Sequence, residues 1–302
     1  MVLRKVAVVG ATGELGEVVY DAIVKAGTFE VSVVRRASST STPAHAEEVS
    51  IIEVPDDWPA DVLEAKLRGQ DAVVVLSRTR DVAQHNRLAT AAAAAGVKRF
   101  IPADYGSCDS RSQRAREVVP LFDKKNQVRD HLVRLAASHP GFSWSSIICG
   151  HFFDWGLRHD FLHCFVKTRT AHILDSGDQP CSLSTLGRVG EAVVAILQKE
   201  EETKNKLLFI QSFCITQNQL IKSLEKATGT KWTVEQFDSE EFIKKHKALA
   251  DGGDLQAVED LVFALGAIDG NWEVKPEFAM DLLGLKNEDL DCVVASTLKS
   301  MQ

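Results

Sequence analysis

A doubly wound α/β fold around a parallel sheet is predicted by three observations in this 302-residue chain. Val- and Ile-rich runs alternate with helical stretches through the first half. The first run ends abruptly in a glycine-dense turn. After about residue 150 the alternation gives way to aromatic and amphipathic stretches. The runs are "KVAVVG", "FEVSVVRR", "SIIEV", "DAVVVLS", "KRFIPA" and "WSSIIC", and continuous apolar runs of this kind suit strands covered by helices on both faces. Helical stretches at 14–26, 59–68, 81–95 and 120–138 separate them, which makes right-handed βαβ units the expected connection. In "LATAAAAAGVKRF" the alanines favour helix and Gly96 ends it.

In the second half, "RVGEAVVAILQK" and "NQLIKSLEKATG" have the spacing of amphipathic helices, and "LLFIQ" reads as a short strand. Residues 1–150 are therefore expected to form the sheet domain. Residues 151–302 are expected to form a smaller, mostly helical lobe, with some elements returning to the main sheet and a few isolated strands of its own.

Hydrophobic residues make up 45% of the chain, enough for a full core, and the net charge of −7 argues against a nucleic-acid surface. The six cysteines, Cys108, Cys149, Cys164, Cys181, Cys214 and Cys292, form no C-x-x-C pair, so a metal site or disulfide framework is not expected and reduced thiols are. The first strand begins within "MVLRKVAVVG", which leaves no room for a signal peptide. No apolar run reaches the roughly 20 residues that span a membrane. The expectation is a cytoplasmic protein, monomer or homodimer, whose partner is a small molecule.

Gly10, Gly13 and Gly16 form G-x-x-G-x-x-G between the first strand and the first helix. The first glycine permits a tight turn, the second lets backbone approach a pyrophosphate, and the third allows close helix–strand packing. The phosphates then meet free N–H groups at a helix N-terminus. This is the signature of the Rossmann dinucleotide site. At the end of the second strand, where an NAD site offers an acidic residue, the chain carries Arg35 and Arg36. Guanidinium groups match a 2′-phosphate in charge and geometry, so NADP(H) is the expected cofactor.

No Y-x-x-x-K motif stands in the expected place: Tyr105 is followed four residues later by Asp109. The helix "PLFDKKNQVRDHLVRLAAS" supplies another proton-handling candidate. Phe122 and Val128 lie about 60° to either side of Lys125, Leu121 and Leu132 within roughly 40°, while Lys124 is displaced by about 100°. Lys125 thus sits in the apolar stripe. It is either a desolvated acid or base or a lysine whose stem covers apolar surface.

"VVGATGELG", "GVKRFIPADYG" and "LFDKKNQVR", in this order and spacing, resemble the NmrA-like, isoflavone reductase-like family of atypical short-chain dehydrogenases. "HFFDWGL" is similar to a segment of fungal members beyond the sixth strand. The resemblance runs through roughly residues 4 to 200. It implies that the F-x-x-K-x-x-x-R motif, here Phe122, Lys125 and Arg129, supplies Lys125 as the catalytic lysine. The implied cofactor set is Gly10, Thr12, Gly13, Leu15 and Gly16, then Arg35 and Arg36, Ser77 and Gln84, and Lys125. The departures are Ala103 in "PADYG" for the serine of "PSEFG", "SRTR" after the fourth strand in place of small residues, "STLGRVG" for a commoner acidic version, and a missing lysine beyond the 2′-phosphate arginine, for which Arg36 is the available substitute.

His151, Phe152, Phe153 and Trp155 follow the sixth strand at its carboxyl end, where ligands bind in such sheets. They are candidates for substrate contact, by ring stacking or, for His151, proton exchange; the alternative is a lobe-packing aromatic cluster. His159 and His163 have i, i+4 spacing, but no third ligand accompanies them and no metal is expected. The functional expectation is an NADPH-dependent reductase of a small aromatic or polyketide-like molecule in secondary metabolism, acting on C=C, C=N or C=O. A redox sensor that binds the dinucleotide without turnover, and a redox-neutral isomerase or dehydratase, stay open.

Overall fold

The computed structural model describes residues 3–78 and 81–301, so Thr79 and Arg80 of "SRTR" and the first two residues lie outside the described residues. The first half runs β1 (Lys5–Val9), α1 (Glu14–Lys25), β2 (Glu30–Arg36), β3 (Ser50–Val54), α2 (Ala60–Leu67), β4 (Ala72–Val75), α3 (Val82–Ala94), β5 (Arg99–Ile101), α4 (Gln113–Val118), α5 (Pro120–Ser138) and β6 (Ser143–Ile148). The second half continues with β7 (His151–Phe152), α6 (Phe153–Arg158), β8 (Cys164–Phe165), β9 (Thr170–Leu174), β10 (Cys181–Ser184), α7 (Leu186–Gln198), β11 (Lys206–Phe209) and β12 (Phe213–Ile215). It ends with α8 (Gln217–Thr228), β13 (Thr233–Phe237), α9 (Ser239–Asp251), α10 (Leu255–Asp269), α11 (Met280–Leu283) and α12 (Leu290–Ser300).

The main sheet has the order β11-β6-β5-β4-β1-β2-β3, and every neighbouring pair is parallel. Every residue of β4 and β6 is buried; β4 is apolar throughout, as a strand between two helical layers requires, while the three serines of β6 hydrogen-bond to Arg99 and Asp104. The chain leaves β1 towards β2 and β3, then crosses back to β4. That reversal opens a crevice at the carboxyl ends of β1 and β4, the place where ligands bind in sheets of this type. Register Val9↔Val75 brings Gly10 and the residues after β4 to the same edge.

Local signals explain the helix ends. α1 turns Val19, Tyr20 and Ile23 into the core. α3 closes with Gly96 N donating to Ala93 O and Val97 N to Ala92 O, the paired bonds of a Schellman cap. α5 begins at Pro120, where the missing N–H costs nothing. At the other edge of the sheet, buried Arg99 donates to Ser143, Ser145 and Thr203 side chains and to the Glu200 carbonyl, tying β5 and β6 to the turn before β11.

β11 comes from the second half and pairs with β6, and α7 packs on α1. The remaining second-half strands form two three-stranded sheets, β12-β10-β7 and β13-β9-β8. The lobe therefore carries more strand than the isolated pieces expected. These strands are two to five residues long, so none has enough alternation to register as a pattern. Among the described residues, no helix is long and apolar enough to cross a membrane.

Candidate active site

The glycine loop connects β1 to α1 at the crevice. Gly10 has φ +86°, and a Cβ there would lie 2.7 Å from the backbone nitrogen of Ser77. Only glycine fits, and Ser77 is thereby placed against the loop. A Cβ on Gly16 would lie 2.0 Å from the Gly10 carbonyl oxygen, so that position serves the close packing of helix on turn. Gly13 differs: its backbone is ordinary extended (φ −87°), and a Cβ would meet nothing nearer than 3.9 Å. Among the described residues, the space in front of Gly13 is free.

The first intrahelical bond of α1 runs from Glu17 N to Gly13 O, at 2.7 Å, and no side chain caps the turn. The amides of Glu14, Leu15 and Gly16 thus have no intrahelical acceptor, and the helix dipole favours an anion beside them. An open cradle with uncapped donors fits a dinucleotide diphosphate. Thr12 is exposed at its rim and Leu15 is half-buried against the core.

Arg35 lies beside Glu53 of β3, with an N–O distance of 3.5 Å, and its Nε is buried without a hydrogen-bond partner. Arg36, the last residue of β2, is exposed. Successive strand residues point to opposite faces, so the two guanidiniums do not form one clamp within the strand. Gln84 is half-buried in the first turn of α3, whose N-cap Asp81 accepts from Ala83 N.

Lys125 is half-buried on α5, its ammonium donating to the main-chain carbonyl of Asp104 and standing 5.7 Å from the Phe122 ring centre. Asp104 follows the carboxyl end of β5, and Gly106 pairs with Ile148 at the end of β6, so the lysine borders the same edge of the sheet as the glycine loop. Its charge partly offsets the burial that pushes the buried Cys149 thiol up to about 12. Phe122, Val128 and Leu132 are buried as the stripe predicts, and Lys124 is exposed. Leu121 does not join them: it is 37% exposed.

The aromatic segment divides. His151 is buried, stacked on Phe263 and edge-on to Phe161, with Nε2 3.2 Å from the Val262 carbonyl. Burial holds its pKa down to about 4, so the ring is neutral near pH 7. Phe152 is half-buried against the main core. Phe153 is fully buried and packs edge-on against Phe213, 4.8 Å away. That ring belongs to the lobe core, and contact with substrate would require the core to open. Trp155 is half-buried and stacks on His159 at 4.6 Å.

His159 Nε2 reaches Glu14 of the glycine loop at 3.8 Å and also lines a cavity of about 650 Å³ in the lobe. The cavity wall includes Phe165, Phe237 and Phe242 and the paired groups His163, Asp260 and His246. Asp260 receives His163 at 3.2 Å and lies 3.4 Å from His246. The expected helical i, i+4 relation of His159 and His163 does not form: α6 ends at Arg158, and Asp160 and His163 have positive φ.

Residues 3–261 match the NmrA-like family. The chain belongs to this family. It is 32% identical over 301 residues to oxidoreductase aprR of Aspergillus flavus, an alignment covering 98% of this chain and 99% of that protein. Its fold is similar to that of AtPrR2 with NADP+ and (+)pinoresinol, with a TM-score of 0.78 at 19% identity and coverage of 98% and 99%. It is equally similar to the leucoanthocyanidin reductase–NADPH complex from Vitis vinifera, with a TM-score of 0.78 at 18% identity and the same coverage.

In this NmrA-like chain the structure adds residues that sequence reasoning did not single out. Asp104 and Ser146 lie under Lys125, and His246 and Asp260, on consecutive helices, meet His163, which the sequence did mark. Asp104 in "PADYG" left no usable signal, since one acidic residue in a strand-end loop is ordinary. The histidine–aspartate cluster left none, because His163 and Asp260 are 97 positions apart.

Proposed function

We propose that this chain is an NADPH-dependent oxidoreductase of the NmrA-like family, reducing a small aromatic or polyketide-like molecule in secondary metabolism. The observation that carries the reading is the placement of Lys125. A half-buried ammonium, held by a main-chain carbonyl, stands at the carboxyl edge of the sheet that also presents the open glycine cradle. Gly10, Gly13 and Gly16 with the first amides of α1 would hold the diphosphate. Arg35 would hold the 2′-phosphate, with Arg36 at the exposed end of the strand, and Thr12, Leu15, Ser77 and Gln84 around the cofactor. NADPH supplies a hydride when bound there.

Lys125 then orients the group to be reduced and gives it a proton, the usual task of a positioned side chain with a dissociable hydrogen. His151, neutral and buried, shapes the pocket through Phe161 and Phe263. Phe152 and Trp155 remain the rings available to substrate. The protein works in the cytoplasm as a monomer or homodimer. The test is whether purified protein oxidises NADPH with any member of a panel of enones and quinone-like compounds. Oxidation with none of them, together with intact NADPH binding, would favour a sensor.

A further inference from the structure

The motif around Lys125 contains a second cation whose part in the site is unassigned. Arg129 lies one helical turn beyond Lys125, so the two side chains leave α5 on the same face. Both reach one residue. Lys125 donates to the main-chain carbonyl of Asp104, while Arg129 Nη2 lies 2.5 Å from the same residue's Oδ2. Both members of the ion pair are buried, at 8% and 3% exposure. Ser146 of β6 donates to the same Oδ2 at 2.6 Å. Arg129 also donates to Ser110 at 2.8 Å and to Asn126 at 3.2 Å, which fixes the guanidinium from the other side. Asp104 Oδ1 is buried with no partner among the described residues.

A carboxylate within reach of an ammonium ordinarily takes it, and a charged acceptor holds such a donor about twice as strongly as a neutral one. Here Arg129 neutralises the carboxylate through Oδ2, and the ammonium is left to a neutral carbonyl. We propose that Arg129 is the positioning residue of Lys125: by holding the Asp104 carboxylate, it keeps that charge from capturing the lysine, so the lysine proton remains transferable. Without Arg129, the Asp104 charge would stand uncompensated beside the ammonium.

The consequence for catalysis rests on the reading of Lys125 as the proton-handling group, but the device can be read without turnover. Only an unprotonated amine is acylated, so acetylation of Lys125 by acetic anhydride at pH 8, followed by site-resolved mass spectrometry, reports how tightly the proton is held. Arg129→Met should slow that acetylation at least fivefold. Asp104→Asn combined with Arg129→Met should restore it to within twofold of the unmodified protein, because the capturing charge is gone. A purely structural role predicts the opposite pattern: lower melting temperature in both variants, with Lys125 acetylated as fast as before or faster, and that result would overturn the proposal. Should Arg129→Met not fold, Arg129→Lys reads the same effect at smaller size through its single point contact. At least twofold slowing is then expected, and an unchanged rate overturns the idea. A silent NADPH assay beside slowed acetylation would remove the reductase reading and leave this one standing.

Discussion

Gly266 presses on His151: a Cβ at the glycine would lie 2.2 Å from the imidazole Nε2 and 2.9 Å from the Ser107 carbonyl oxygen. α10 therefore seats directly on the residue that follows the sixth strand, and the lobe meets the sheet without a spare methyl group of space. Gly266→Ala forces backbone or ring to move, and overpacking of this kind costs about 1–3 kcal/mol. Chemical denaturation should show that loss. A variant as stable as the parent would mean that the contact yields freely.

The same burial makes stability depend on pH. The His151 and His85 rings are held down to about 4, in each case chiefly by burial. Both are neutral in the folded chain, while in the unfolded chain they take a proton near pH 6.5. Between those values the unfolded state binds more protons, so stability falls as pH drops from about 6.5 towards 4. Each ring contributes roughly 3 kcal/mol of that loss. Melting temperature against pH should fall more shallowly over this window in His151→Gln and His85→Gln than in the parent. Parallel curves would show that other groups govern the acid limb.

The glycine loop separates two kinds of requirement. Gly16→Ala places a methyl group against the Gly10 carbonyl and should destabilise the fold by about 1–3 kcal/mol. On Gly13 a Cβ meets only the Gly10 carbonyl oxygen, at an ordinary 3.9 Å, and the backbone is extended, so Gly13→Val should cost only the loss of a favoured N-cap residue, about 1 kcal/mol. It should nevertheless lose NADPH binding, because the isopropyl group stands where the diphosphate would approach the backbone. Calorimetric titration of NADPH into both variants checks this. Normal binding by Gly13→Val would reduce the loop to a turn.

These contrasts also show what the sequence makes legible. β1 and β4 announce themselves because strands covered on both faces are built from apolar runs, whereas β6 carries three buried serines that engage Arg99 and Asp104, and Gly10 announces itself because φ +86° at a close approach excludes every side chain. The lobe gives no such signals. β7 and β8 have two residues each, and β13 pairs with β9 across sixty positions. Phe153 and Trp155 are alike as letters, yet one is core and the other is half-buried beside His159. Tertiary partners decided that, and neither ring's neighbours in sequence could. Lys125 was legible because a lysine inside an apolar stripe is locally inconsistent; Asp104 beneath it was not, since one acidic residue in a loop is ordinary.

Cofactor preference is expected to follow Arg35. Its contact with Glu53 is partly exposed and 3.5 Å long, and such surface pairs contribute little, so the guanidinium is available to a 2′-phosphate. NADPH should bind at least about tenfold tighter than NADH, or roughly 1.4 kcal/mol. Arg35→Ala with Arg36→Ala should erase most of that difference. Glu53→Gln, which frees the guanidinium, should tighten NADPH and leave NADH unchanged. Equal affinities for the two cofactors in the parent protein would contradict the assignment.

The proposed chemistry turns on the difference between two adjacent lysines. Lys124 is exposed and lies about 100° around the helix from Lys125, whereas Lys125 stands beside Phe122 with its ammonium on the Asp104 carbonyl. If Lys125 handles the proton, Lys125→Ala lowers turnover by about 10²–10⁴-fold, the usual range for a lost general acid or base. NADPH affinity should change far less, since the residues proposed to hold the diphosphate and 2′-phosphate lie on the glycine loop, α1 and β2. Lys124→Ala leaves turnover and affinity nearly unchanged. A stem that only covered apolar surface would produce a different signature: lower stability for Lys125→Ala with turnover largely intact. Measuring melting temperature, NADPH affinity and turnover on both variants separates these outcomes. Small and equal effects on turnover would take Lys125 out of the mechanism and leave the dinucleotide site serving a sensor or a redox-neutral reaction.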